Sequence, residues 1–173
     1  MIMRRIIISI CLVLFLLCSC SGKSETALDW FNKARATNYT DPKKAIEYLN
    51  NAIKLKPDYA DAYYDRGVAY VSLGQHKLAI EDFSHVIKLQ PNSANAYNNR
   101  GLAYAGILQY QLATQYYNKA ISIKANLASA YAGRGSVYFK QGNKNLGCRD
   151  VKKACELGNC KLSAMAQKKG YCR

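Results

Sequence analysis

Apolar and polar positions along this chain alternate with helical spacing, and the pattern then repeats. Tyr63, Val68 and Tyr70 lie on one helical segment, and Leu78, Ala79, Phe83, Val86 and Ile87 form a stripe on the next. Tyr63, Tyr97 and Tyr131 recur at one constant interval, as do Arg66, Arg100 and Arg134. Gly67, Gly101 and Gly135 follow the same interval, and so do Tyr70, Tyr104 and Tyr138. Ala45, Ala79, Ala113 and Gly147 form a further series in that register. A unit of two short helices cannot bury its own apolar face, so recurrence at a fixed period predicts a stacked array.

Helix ends are marked by breaker residues. Asp41-Pro42 reads as a helix start, Pro57 and Pro91 separate units, and Gly74 and Gly142 interrupt the chain between helices. Together these signals predict nine helices, over 26–37, 41–55, 59–72, 76–89, 93–106, 110–123, 127–140, 144–157 and 161–169. The small residues Gly67 and Ala79 allow two backbones to approach, and the large aromatics then fill the space between units. The 14 tyrosines are therefore read as packing residues rather than as a stacking surface for ligands. Tyr64 is the exception, because its register turns it away from the core.

One unit contains Tyr63, Gly67, Tyr70, Ala79, Phe83 and Pro91. The next contains Tyr97, Gly101, Tyr104, Ala113, Tyr117 and Ala120. This set resembles the signature of the tetratricopeptide repeat, over roughly residues 26 to 160. The resemblance implies an all-α, right-handed superhelix of about four helix-turn-helix units with a C-terminal capping helix. It also implies a concave groove lined by the first helix of each unit. Register places Asp61, Tyr64 and Asp65 there from the second unit. Asn95, Asn98, Asn99 and Leu102 come from the third, and Ser129 and Phe139 from the fourth. Ala105, Gly106, Ala132 and Gly133 would form a floor of small residues. Asn98 and Asn99 can each donate and accept, which suits the backbone of an extended peptide or a partner helix. The carboxylate clamp of chaperone-binding members is missing. Asn99 fills its middle slot, but Asp61, Asp65, Ser129 and Gly133 stand where cations and amides are needed. Capture of a chain-terminal carboxylate is thus not expected.

The segment 1–19 reads as an address. Arg4 and Arg5 precede an apolar run from Ile6 to Leu17, too short for a comfortable membrane span and suited to a signal peptide. Leu17-Cys18-Ser19-Cys20 is similar to a bacterial lipobox. That resemblance implies cleavage before Cys20, diacylglycerol on its thiol and usually acylation of the new amine, enough chains for stable anchoring. A plain secretory signal or an uncleaved anchor helix is the alternative. Ser21 stands where an inner-membrane retention signal carries Asp. This favours the outer membrane, with the chain facing the periplasm from the inner leaflet. The expected organisation is a signal over 1–19, a tether over 20–25, the array over 26–160 and a stapled cap over 161–173.

The cysteines agree with an oxidising compartment. Of seven, Cys11 and Cys18 leave with the signal and Cys20 is acylated, leaving Cys148, Cys155, Cys160 and Cys172. Cys148 and Cys155 would lie about 10 Å apart on one helix, too far for a bridge. A short antiparallel helix after Gly158 would bring Cys155 to Cys160 and Cys172 to Cys148. Nested bridges are expected, stapling the last helix over the final unit. The four-residue gap in Cys155-x₄-Cys160 does not fit thioredoxin-like or zinc motifs.

Charge narrows the partners. The chain carries 25 basic and 11 acidic residues, for a net charge of +14. From Lys140 onward nine basic residues face two acidic ones. That end would attract anionic lipid, cell-wall polymer or an acidic protein, and the export signal argues against nucleic acid. His76 and His85 lack metal-ligand spacing, the carboxylates are scattered, and no phosphate-binding glycine loop is present. No enzymatic activity, metal, cofactor or small-molecule substrate is therefore expected. The expected function is that of a membrane-anchored scaffold binding a protein or peptide in the cell envelope. It is similar to the pilotins of secretin assembly or to lipoprotein adaptors of peptidoglycan enzymes. The alternative is a basic module docking on anionic lipid or cell-wall polymer.

Overall fold

The computed structural model describes residues 24–37 and 40–172, and these fold into nine helices without strands. They are α1 (Ala27–Ala36), α2 (Pro42–Leu55), α3 (Ala60–Ser72), α4 (His76–Leu89) and α5 (Ala94–Gly106). α6 (Tyr110–Ile123), α7 (Ala128–Lys140), α8 (Lys144–Glu156) and α9 (Lys161–Lys168) follow. Every boundary lies within one residue of the sequence expectation, because caps and breakers mark some of them and the repeat interval places the others. Thr26 and Asp29 close a capping box at the start of α1. Asp41 caps α2 by accepting from the Lys44 N–H at 3.1 Å, with Pro42 in the first turn. The signal, lipobox and Cys20 lie outside the described residues. No described helix is long and apolar enough to cross a membrane.

Consecutive helices pack in pairs, and α3, α5 and α7 also touch one another in succession. The helices approach closely because small residues line their contacts. Ala45, Ala79 and Ala113 are fully buried. A Cβ on Gly101 would stand 3.1 Å from the Tyr117 ring and 3.2 Å from the Ala113 carbonyl oxygen. A larger residue there would push α5 off α6. Phe83, Leu49, Val86 and Tyr117 fill the remaining core.

The repeating arginines tie neighbouring units together. Arg66 donates from Nε and Nη2 to both oxygens of Asp82 at 2.9 and 2.7 Å, and from Nη1 to Asn50 Oδ1 at 2.7 Å. One guanidinium thus joins α2, α3 and α4. Arg134 repeats the arrangement with Asp150 and Asn118. In the unit between them Tyr116 takes the carboxylate position. Arg100 donates to its hydroxyl at 2.6 Å and stacks 4.2 Å from its ring.

α3, α5, α7, α8 and α9 each end with a residue in the left-handed region, whose follower donates back to a carbonyl of the last turn. That residue is Gly74, Gly142, Gly158 and Gly170 in four cases and Leu108, at φ 61°, in the fifth. The C-terminus is stapled by two bridges. Cys148 joins Cys172 with Cα atoms 5.5 Å apart, and Cys155 joins Cys160 across the α8–α9 turn.

Candidate protein-binding groove

The residues expected in the groove project from α3, α5 and α7, the helices that touch in succession. Asp61, Asn95, Leu102 and Ser129 are exposed, and Tyr64, Asp65, Asn98 and Asn99 are half-buried. Leu102 keeps 45% of its surface open, an apolar side chain on an otherwise polar strip.

The polar members form a relay. Asn98 Nδ2 donates to Asn99 Oδ1 at 3.0 Å, and Asn99 Nδ2 donates to the Tyr64 hydroxyl at 2.9 Å. The second bond crosses from α5 to α3 and binds two units edge to edge. Asn98 Oδ1 is buried and has no partner among the described residues. An unmet acceptor of this kind costs roughly 1–3 kcal/mol. Burial raises the Tyr64 phenol above its ordinary value, with Asp65 adding to the rise and the Asn99 bond opposing it.

Tyr64 is not turned away from the core as its register implied. It stands edge-on to Phe83 with ring centroids 5.8 Å apart. The aromatic ring is long enough to rest on the core while its hydroxyl stays on the groove side. Phe139 also departs from expectation. It packs against Gly147 and lies 5.3 Å from the Tyr171 ring, so much of it is taken up by the C-terminal cap. Two of the small floor residues are backed by side chains from neighbouring helices. The His76 ring lies against Gly106, and the Tyr117 ring lies against Gly133. Side chains from second helices reach through to the first-helix layer wherever a glycine leaves room. His76 thus acts as a packing residue, its Nδ1 buried and unpartnered among the described residues. His85 stacks on Tyr63 with centroids 4.8 Å apart.

Among the described residues no group of three or more His, Cys, Asp or Glu side chains is arranged to hold a metal ion. The groove offers instead amides, hydroxyls, carboxylates and an exposed leucine, which are groups that recognise another polypeptide.

Comparison with known proteins bears on the fold that carries these residues. Two models of the tetratricopeptide repeat match residues 33–97 and 94–127, together more than half of the chain. The chain belongs to the tetratricopeptide repeat family. Its fold is similar to the crystal structure of MamA, with a TM-score of 0.72 and 27% identity over 82% of this chain and 83% of that one. MamA from Desulfovibrio magneticus RS-1 superposes with a TM-score of 0.73 at 22% identity over 80% of this chain and 79% of that one. The first tetratricopeptide domain of Spaghetti (RPAP3), bound to an HSP90 peptide, gives a TM-score of 0.65 at 19% identity. That match covers 69% of this chain and 96% of the other, and at this identity it bears on fold alone. An uncharacterized protein of Methanocaldococcus jannaschii, MJ0572, is 44% identical over 40 residues. The match takes in 23% of this chain and less than half, 46%, of that relative's length.

Proposed function

We propose that this protein is a lipid-anchored scaffold of the bacterial cell envelope that holds a protein partner along its concave face. The observation that carries the reading is the first-helix strip, where exposed Leu102 stands beside the Asn98–Asn99–Tyr64 relay. Leu102 offers an apolar anchor. The unpartnered Asn98 oxygen would gain a bond if a small side-chain rotation brought it to a peptide N–H. Asp61, Asp65, Asn95 and Ser129 supply the polar rim.

The anchor rests on Leu17-Cys18-Ser19-Cys20, and Ser21 favours the outer membrane. Cys20→Ser is expected to abolish fatty-acid labelling and globomycin-sensitive processing. Labelling that persists in this variant would remove the anchor from the account. Asn98→Ala with Asn99→Ala is expected to weaken partner recovery from membranes at unchanged stability. Equal recovery would contradict the groove.

A second reading, docking on anionic lipid or cell-wall polymer, is favoured by the nine basic residues from Lys140 onward. It requires release by about 0.3 M salt, where charge interactions are screened within a few ångströms.

A further inference from the structure

The concave layer continues past α7. Between α7 and α9 lies a cleft of about 270 Å³, lined by Phe139, Leu162, Met165, Ala166 and Tyr171. Ser136, Lys140 and Lys169 complete the lining, and both lysines are exposed. Met165 keeps 48% and Tyr171 38% of its surface open, so the apolar lining is accessible.

The Tyr171 wall is built by two local devices. Gly170, at φ 66°, turns the chain at the end of α9, and the Tyr171 N–H then donates to the Ala166 carbonyl at 2.9 Å. The next residue, Cys172, is bridged to Cys148 on α8. Held from both sides, the Tyr171 ring lies against Phe139, with Lys144 Nζ 5.3 Å from its centroid.

Among the described residues no acidic side chain pairs with the lysines around the cleft. The two acidic residues beyond Lys140 are engaged elsewhere, Asp150 with Arg134 and Glu156 with Lys153. Among the described residues, neither Lys140 nor Lys169 takes part in an ion pair.

We propose that this cleft is a second docking site, for an internal peptide segment in which one large apolar side chain is flanked by carboxylates, and that the Cys148–Cys172 bridge holds its Tyr171 wall in place. The apolar lining removes such a side chain from water, and the two ammonium groups meet the flanking acids. A peptide fits better than a lipid because Ser136 and Phe139 of the cleft stand on α7, the helix that also carries Ser129 of the groove. An extended chain can therefore run from one to the other. The site rests on the scaffold reading only in taking a polypeptide, and it does not need the Asn98–Asn99 relay.

The test uses the full disulfide-bonded chain and a short fluorescent peptide with a central phenylalanine between two pairs of glutamates, read by anisotropy. Saturable binding is expected. It should weaken by about tenfold or more when the phenylalanine becomes serine or the glutamates become lysines. The same loss is expected for Met165→Asp, for Lys140→Glu with Lys169→Glu, and for Cys148→Ser with Cys172→Ser. The Met165 and lysine positions are exposed, and circular dichroism of each variant separates loss of the site from unfolding. Asn98→Ala with Asn99→Ala should bind this peptide normally. If that variant alone lost the peptide, the cleft would be overturned and the groove would stand. Absence of saturable binding would also overturn it. So would vesicles of phosphatidylglycerol binding through the same lysines while the peptide did not bind.

Discussion

At the scale of residues, the exceptions to the period are the informative positions. Leu108 occupies a left-handed position that Gly74 and Gly142 hold one repeat to either side, and it is 70% exposed. Leu108→Gly relieves about 1–2 kcal/mol of backbone strain and costs about 0.5–1 kcal/mol in chain entropy. A net gain of up to about 1.5 kcal/mol in urea unfolding is expected. The arginines differ for a related reason. Asp82 is 3% exposed, so Arg66→Ala strands a buried carboxylate and should cost about 3–5 kcal/mol. Arg100→Ala removes a hydroxyl bond and contacts with the Tyr104 and Tyr116 rings, and should cost about 1–2 kcal/mol. Equal losses would show that the fork with Asp82 adds nothing. Tyr117 gives a pH signature. Burial pushes its phenol above the ordinary range, so the fold keeps the proton that the unfolded chain releases near pH 10. This stabilisation is complete below about pH 10 and is lost as pH rises further, at up to about 1.4 kcal/mol per pH unit. Tyr117→Phe should therefore flatten the alkaline fall in the urea midpoint, and an unchanged slope would contradict the assignment.

At the scale of elements, helix positions were legible because Pro42, the glycines and a few capping residues mark some ends, and the constant repeat interval carries those marks to units that lack them. The nested bridges were legible too, since the rise along one helix holds Cys148 and Cys155 apart. Phe139 was not, because Tyr171, its partner, lies outside the repeat and has no counterpart one period earlier. What backs Gly106 and Gly133 was not legible either, for a comparable reason. Periodicity assigns a residue to a face, but it does not reveal which neighbour's side chain fills the space a glycine leaves. The Asn99–Tyr64 bond was also beyond the sequence, since each residue was assigned to the groove without its partner. The cap has its own test. Replacing Cys148 and Cys172 by Ser should lower stability by about 3 kcal/mol, from loop-closure entropy alone. An unchanged unfolding midpoint would show that α9 needs no staple.

At the scale of the whole molecule, the first-helix face differs in charge along its length. Asp61 and Asp65 stand on α3, whereas Lys140 and Lys169 stand at the cap. Under the proposed reading, a partner lying along the face would be oriented with its acidic part toward the cap. Charge reversal at Lys140 and Lys169 should slow association and reduce its salt dependence more than it changes stability. The central claim is that the partner lies against the first-helix strip, and crosslinking in cells tests it most directly. A photo-reactive side chain in place of Leu102 on α5 is compared with one in place of exposed Gln115 on α6. The expected result is a discrete adduct from position 102 that disappears with Asn98→Ala and Asn99→Ala, with none from position 115. An adduct from position 115 alone would contradict it.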